Sequence, residues 1–391
     1  MKLYLSPGFA LFLSFLLIFQ STNQIIPVTQ ALNAYTATQD FFDVNLDSEY
    51  QNTTTYEGDI TIGNTTVYEI SNCEFNLTGR LTITDEALVR IKNAKILLTC
   101  LSDRWNWVPE ETPFDGYNAF MIIVEKQAKL EVDNVTFVLS APRLDPEIPR
   151  VFGVPYHGIY AKDFTEAHIN NSKLLYANGL GDAIFATNSS RIYVTNSDLS
   201  THRYIEQLKT MEQTPGSGIV SNDNSNVYVE NCLLDVNYFA DNSTVTLMNV
   251  NITDCFSYDP SPIINVTNAR IEQIRVFCPA NVHLNYVVAD ELYARVNCSV
   301  WATKCTFGIV SASFGANVWL FDTKAQKISG NVWIVYNLPL FGRITISYVY
   351  VPYIVPLIVI TIIIVTLVSV YLIARRKTRK PVSLEEDQRS L

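Results

Sequence analysis

The chain lacks the basic excess that a nucleic-acid partner would need. Its 28 Lys and Arg stand against 38 Asp and Glu over 391 residues, a formal net charge of −10. That balance argues against nucleic acid as a partner. Metal-ligand spacing is absent too. There are four His, and no spacing among the seven Cys resembles a zinc site, so no metal and no cofactor is expected. The hydrophobic runs of the central region lie apart without helical periodicity between them, which argues against a leucine-rich repeat.

What is present is a repeat. Copies read EISNCEF (69–75), LVRIKNAKI (88–96), LEVDNVTF (130–137), AHINNSKL (167–174), IYVTNSDL (192–199), VYVENCLL (227–234) and VTLMNVNI (245–252). Each is an alternating strand ending in Asn, then a small or modest residue, a spacer and a large apolar residue. A recurring unit of this size marks stacked repeats. Strand periodicity makes the stack a parallel β-helix. An antiparallel sandwich would not keep one Asn position through its hairpins.

Alternation puts side chains on two faces. It assigns Val89, Ile91 and Asn93 inward, with Arg90 and Lys92 outward. An inward carboxamide is costly alone but not when stacked, since rungs about 4.8 Å apart let each amide donate to the next. The expected ladder is Asn72, Asn93, Asn134, Asn171, Asn196, Asn231 and Asn249. Their spacings are 21, 41, 37, 25, 35 and 18 residues, so the longer intervals hold an insertion or a second rung.

The ends read differently. Residues 1–31 fit a secretory signal, with Lys2 before a long apolar run and Thr29-Gln30-Ala31 as one cleavage possibility. Residues 32–59 would form a cap or linker and 60–348 the ectodomain, clearest over 60–255. Residues 354–374 carry no charge over a length that spans a bilayer, within an anchor of 350–374. Arg375, Arg376, Lys377, Arg379 and Lys380 follow, so the tail 375–391 is expected in the cytoplasm and the rest outside, at the cell surface.

Export makes sequons and disulfides relevant. Glycans are expected on Asn52, Asn64, Asn76, Asn170, Asn188, Asn242, Asn251, Asn265 and Asn297. The sequon at Asn134 falls in the ladder, so that residue is expected to be buried and unmodified. Cys255 with Cys278 and Cys298 with Cys305 are the expected bridges, Cys73 with Cys100 a weaker one, and Cys232 the buried free thiol.

Three insertions, 101–118, 141–156 and 200–215, leave the repeat a few residues after the ladder Asn. They should therefore emerge on one side. They hold Trp105, Trp107, Tyr117, Arg143, Tyr156, His202, Arg203 and Tyr204, aromatics and arginines suited to carbohydrate faces and hydroxyls. Asp115 and Asp145 are loop acids. Counting back from the ladder places Phe120, His157, Asp182 and Ser217 in one column. His157, Asp182 and His202 are thus weak catalytic candidates; a turn column favours such residues for local hydrogen bonds alone.

The repeat over 60–255, as in GIYAKDFTEAHINNSKL (158–174) and GIVSNDNSNVYVENCLL (218–234), resembles the right-handed parallel β-helix of the pectate-lyase-like superfamily. From 279 to 348 the pattern weakens, although ANVWLFDT (316–323) still reads as a rung. The resemblance implies lyase, hydrolase, epimerase or non-catalytic surface proteins. Its lyases use an aspartate cluster with an arginine, and its hydrolases Asp-Asp and Gly-His-Gly motifs; neither occurs here. A membrane-anchored β-helix with many sequons is also similar to archaeal cell-surface proteins. The expectation is a non-catalytic, single-pass surface glycoprotein that binds a polysaccharide or a neighbouring surface protein. The alternatives are a tethered polysaccharide lyase or glycoside hydrolase, and a structural stalk.

Overall fold

A computed structural model describes residues 52–99, 120–140, 157–176, 182–200, 217–257, 261–338, 342–347, 361 and 363–372. The described residues form a β-solenoid. Twenty-nine strands join one sheet in which every pairing is parallel except that of Val332–Leu338 with Gly342–Ser347. The chain contributes three strand segments per rung, which stack into three walls.

The first wall runs through Ile60–Ile62, Leu81–Ile83, Phe120–Val124, His157–Ala161, Ile184–Ala186 and Ser217–Ser221. The second stacks Val67–Ser71, 88–92, 129–133, Glu166–Asn170, Arg191–Thr195 and Asn226–Glu230. It continues through Thr244–Met248, Ile263–Thr267, Asn281–Asn285, Ser299–Thr303 and Asn317–Phe321. The third holds Thr53–Glu57, Glu74–Thr78, 94–99 and 135–140. From residue 233 on, each strand of the third wall runs straight into the first, as in Leu233–Phe239 and Val288–Ala294.

Alternating apolar residues line the interior. Val89, Leu130, Ile192, Val227, Val245, Ile264, Val282, Val300 and Val318 stack in one column, each at most 3% exposed. Fully burying one such side chain contributes about 1.5–3 kcal/mol, offset by ordering the chain.

The Asn column occupies the corner between the second and third walls, but it faces the other way from expectation. Asn72, Asn93, Asn134, Asn171, Asn196, Asn231 and Asn249 are all exposed. Each has φ between 49° and 55°. That left-handed conformation turns the corner and breaks the two-residue alternation. The residue after each Asn therefore points inward instead: Ala94, Val135, Ser172, Ser197, Cys232 and Val250 are buried. Asn is chosen because it tolerates left-handed backbone at lower cost than most L residues. The amides bond along the axis: Asn93 Nδ2 donates to Asn72 Oδ1 at 3.3 Å, Asn134 to Asn93 at 2.9 Å, Asn231 to Asn196 at 3.1 Å and Asn249 to Asn231 at 3.1 Å. Asn171 and Asn196 instead reach Asp133 and Asn170 on the neighbouring rung. The buried-sequon expectation for Asn134 is overturned with the register.

The solenoid also continues past 255. Asn268 donates to Asn249 at 2.7 Å, and the corner then passes through Tyr286, Lys304 and Asp322, all with positive φ. Gly330 ends the last straight coil at φ +83°, where a Cβ would sit 1.7 Å from the Ala312 carbonyl oxygen. Farther on, 363–372 are helical, with Ile363, Val365, Leu367 and Val370 each more than half exposed. No helix among the described residues is long and apolar enough to cross a membrane.

Candidate functional site

The three insertions leave and rejoin the solenoid at one corner, between the third wall and the first. The chain departs after Thr99, Ser140 and Leu199 and returns at Phe120, His157 and Ser217. Two departure points stack in register, Thr99 against Ser140, while Leu199 falls three positions earlier, level with Phe137. Phe120 pairs with His157 at the return. Ile184 pairs with both Ile159 and Ile219, which puts Asp182 in the column of His157 and Ser217. The Asp182 carbonyl accepts from Gly158 N at 2.9 Å, and its side chain is half-buried. Gly158 is needed there, since a Cβ would meet the Ala183 carbonyl oxygen at 2.5 Å. Trp105, Trp107, Tyr117, Arg143, Tyr156, His202, Arg203 and Tyr204 lie outside the described residues, as do Asp115, Asp145 and the side chain of His157.

Beside this corner the outer faces are unusual. Thr136, Lys173 and Asp198 point away from the core, yet Lys173 is 6% exposed and Asp198 3%. Lys173 and Asp198 are register partners on neighbouring rungs, opposite charges about 4.8 Å apart along the backbone. Ser200 N donates to Asp198 Oδ1 at 3.0 Å and the Ser200 hydroxyl bonds the same oxygen. Across the corner, outward Met121 and Ile123 are each 1% exposed. Tyr160 and Phe185 follow in that column with ring centroids 5.6 Å apart. One rung below the insertions, buried Asn237 accepts from Ile219 N at 3.0 Å and donates to the Asp235 carbonyl at 2.8 Å. Sequence reasoning missed Lys173, Asp198 and Asn237. Lys173 and Asp198 stand at spacer positions, which alternation assigns to solvent.

Farther along the same corner Asp254 pairs with Gln273, and Gln273 with Glu291. Burial raises the Asp254 carboxyl above its ordinary range. Arg275 opposes that shift, while Glu272 and Glu291 reinforce it. No group of three or more His, Cys, Asp or Glu among the described residues could hold a metal ion.

The expected bridges do not form. None of Cys255, Cys278, Cys298 and Cys305 is disulfide-bonded. Cys255 faces Ile274, four residues short of Cys278, whose sulfur lies 2.9 Å from Ser257 Oγ. Cys298 and Cys305 flank the five-residue strand Ser299–Thr303, which alone spans about 13 Å, beyond disulfide reach. Cys232 and Cys305 occupy the inward column after the corner and act as Ser does there. Cys305 Sγ donates to the Thr303 carbonyl at 3.2 Å and accepts from Val287 N at 3.4 Å. The Ser197 hydroxyl donates likewise to the Thr195 carbonyl, and its oxygen accepts from Ser172 N. Burial pushes Cys232 and Cys255 up to about 12 and Cys298 and Cys305 up to about 11, so at neutral pH these thiols are not nucleophiles.

No protein family, no curated protein and no solved structure matches this chain, so its reading rests on geometry alone.

Proposed function

We propose that the chain is a single-pass cell-surface glycoprotein whose solenoid presents one edge of insertion loops to a polysaccharide or a neighbouring surface protein. The observation that carries it is the return of three insertions to one corner, with Thr99 and Ser140 in register at their bases. Their bases share one edge of the solenoid, and the sequence between departure and return supplies Trp105, Trp107, Tyr117, Arg143, Tyr156, Arg203 and Tyr204. Right-handed winding and kinship with pectate-lyase-like proteins belong to this reading. So does an archaeal surface origin.

Anchoring rests on the uncharged run 354–374 and the five basic residues after it. Export by residues 1–31 would expose the sequons to glycosylation. Asn64, Asn188, Asn242 and Asn297 all fall on the corner between the first and second walls, exposed and at positive φ. Glycans there would leave the insertion edge bare. A tethered lyase or hydrolase is the second reading, favoured by Asp182 sharing a column with His157.

Binding of the full chain in nanodiscs to immobilised acidic and neutral polysaccharides tests the proposal. Trp105→Ala with Trp107→Ala is expected to weaken binding about tenfold, an aromatic contact's worth for the pair. Unchanged affinity would move the site off these loops, and no binding to any glycan or surface protein would leave a stalk. Cleavage products that vanish with Asp182→Asn would establish the enzyme.

A further inference from the structure

We propose that the outer face of the second wall, over its last rungs, lies against the headgroup layer of the membrane. This rests on the anchored reading above and adds an orientation to it.

The face is uncharged. Thr244–Met248, Ile263–Thr267, Asn281–Asn285, Ser299–Thr303 and Asn317–Phe321 contain no Asp, Glu, Lys or Arg. At the chain's 17% charged content, those five strands of five residues would carry about four. Every segment of the same wall above them has at least one: Glu69, Arg90, Glu131, Glu166, Arg191 and Glu230.

The face is also aromatic. His283 stacks on Trp301 at 4.7 Å, and Trp301 on Trp319 at 5.1 Å, within 10° of parallel; Trp333 follows in register. Tyr286, 52% exposed, and Phe314, 75% exposed, stand at the two flanking corners. Stacked rings cover each other's faces and turn their edges outward. A sugar needs a free ring face, so this strip is a poor glycan platform. An indole edge with an N–H donor suits the interface, where hydrocarbon and polar headgroup meet.

Position selects the occupant. These are the last parallel rungs before the uncharged run 354–374, whose described part, 363–372, is helical and exposed. Asn265, with its sequon, occupies the same outward column one rung above His283. A glycan there would stand above the headgroups, which confines the contact to the rungs from Asn281 on and puts the Asn297 sequon, on the flanking corner, at its edge.

The test uses the full chain in phosphatidylcholine liposomes, with Trp105→Phe and Trp107→Phe so that Trp301, Trp319 and Trp333 alone emit. Flotation reports anchoring. Quenching by shallow doxyl-labelled lipid and by aqueous acrylamide reports the strip. The expected result is flotation, about twofold quenching by the labelled lipid and weak quenching by acrylamide, as interfacial Trp gives. Trp301→Phe with Trp319→Phe should remove most of the lipid-quenched emission while keeping the stack. Flotation with acrylamide quenching alone would overturn the orientation and leave the anchor standing. Emission shielded from both quenchers, with a doubled particle mass, would overturn it in favour of a second copy. Failure to float would remove the anchor itself.

Discussion

Rungs 81–221 and rungs 226–330 share one kind of core and differ outside it. In the first set three of the four connections from the third wall to the first are long, and polar residues that point away from the core, Lys173 and Asp198, are buried beside that corner. In the second set the same corner is closed by a continuous strand, and rungs repeat at 18 residues, as from Tyr286 to Lys304 and from Cys305 to Thr323. One set carries its extra sequence in insertions at that corner. The other has regularity, aromatic stacking and an uncharged wall. A solenoid permits this division because each rung contacts only its neighbours, so one stretch can diversify without disturbing another.

Core truncation should test the shared part first. Phe137 and Phe307 are both buried in equivalent columns, one in each region. Either replaced by Ala is expected to lose about 3–5 kcal/mol in chemical denaturation. Hydrogen exchange should then show Phe307→Ala loosening residues 270–330 more than 81–140. Uniform loosening would show that the two regions unfold as one.

The corner comes next. Asn231→Ala forces a Cβ-bearing residue without a local polar group into left-handed backbone and deletes two ladder bonds, a loss of about 1–3 kcal/mol. Asn231→Gly should cost less, since glycine adopts that backbone freely. In the regular region Lys304→Asn should gain up to about 1 kcal/mol by the same reasoning. Equal losses for Ala and Gly would mean that the amide bonds, not the backbone, dominate.

Trp319→Ala should remove about 0.5–1.5 kcal/mol of stacking beyond its buried area, and Trp319→Phe much less. The smallest effect is electrostatic. Asp254 is held protonated more readily in the fold than in the unfolded chain. Stability contributed by that proton is present at pH below the ordinary 3.8 and fades as pH climbs through the raised value. Asp254→Asn should therefore raise the melting temperature at pH 7 and change it little at pH 3.

Sequence gave away the solenoid because one residue type recurs where the backbone must turn. It misled on direction because a left-handed residue at the turn resets the alternation, so the parity counted from Val89 and Ile91 fails at Asn93. The most regular rungs were the hardest to read. There Tyr286, Lys304 and Asp322 replace Asn at the corner, and inward apolar series such as Val282, Val300 and Val318 carry the repeat. Among site residues, the column of His157 and Asp182 followed from counting. Burial of Lys173 and Asp198 did not, because strand alternation alone assigns both positions to solvent.

Disulfide trapping tests most directly that the insertions rise from stacked rungs at one corner. In a Cys100→Ser background, Cys is placed at Leu97, Val138 and Leu175, outward partners in the third wall at separations of 41 and 37 residues. Oxidation and peptide mapping should give bridges 97–138 and 138–175 and none between 97 and 175. A 97–175 bridge, or no bridge at either in-register pair, would contradict the stacking on which the common edge depends.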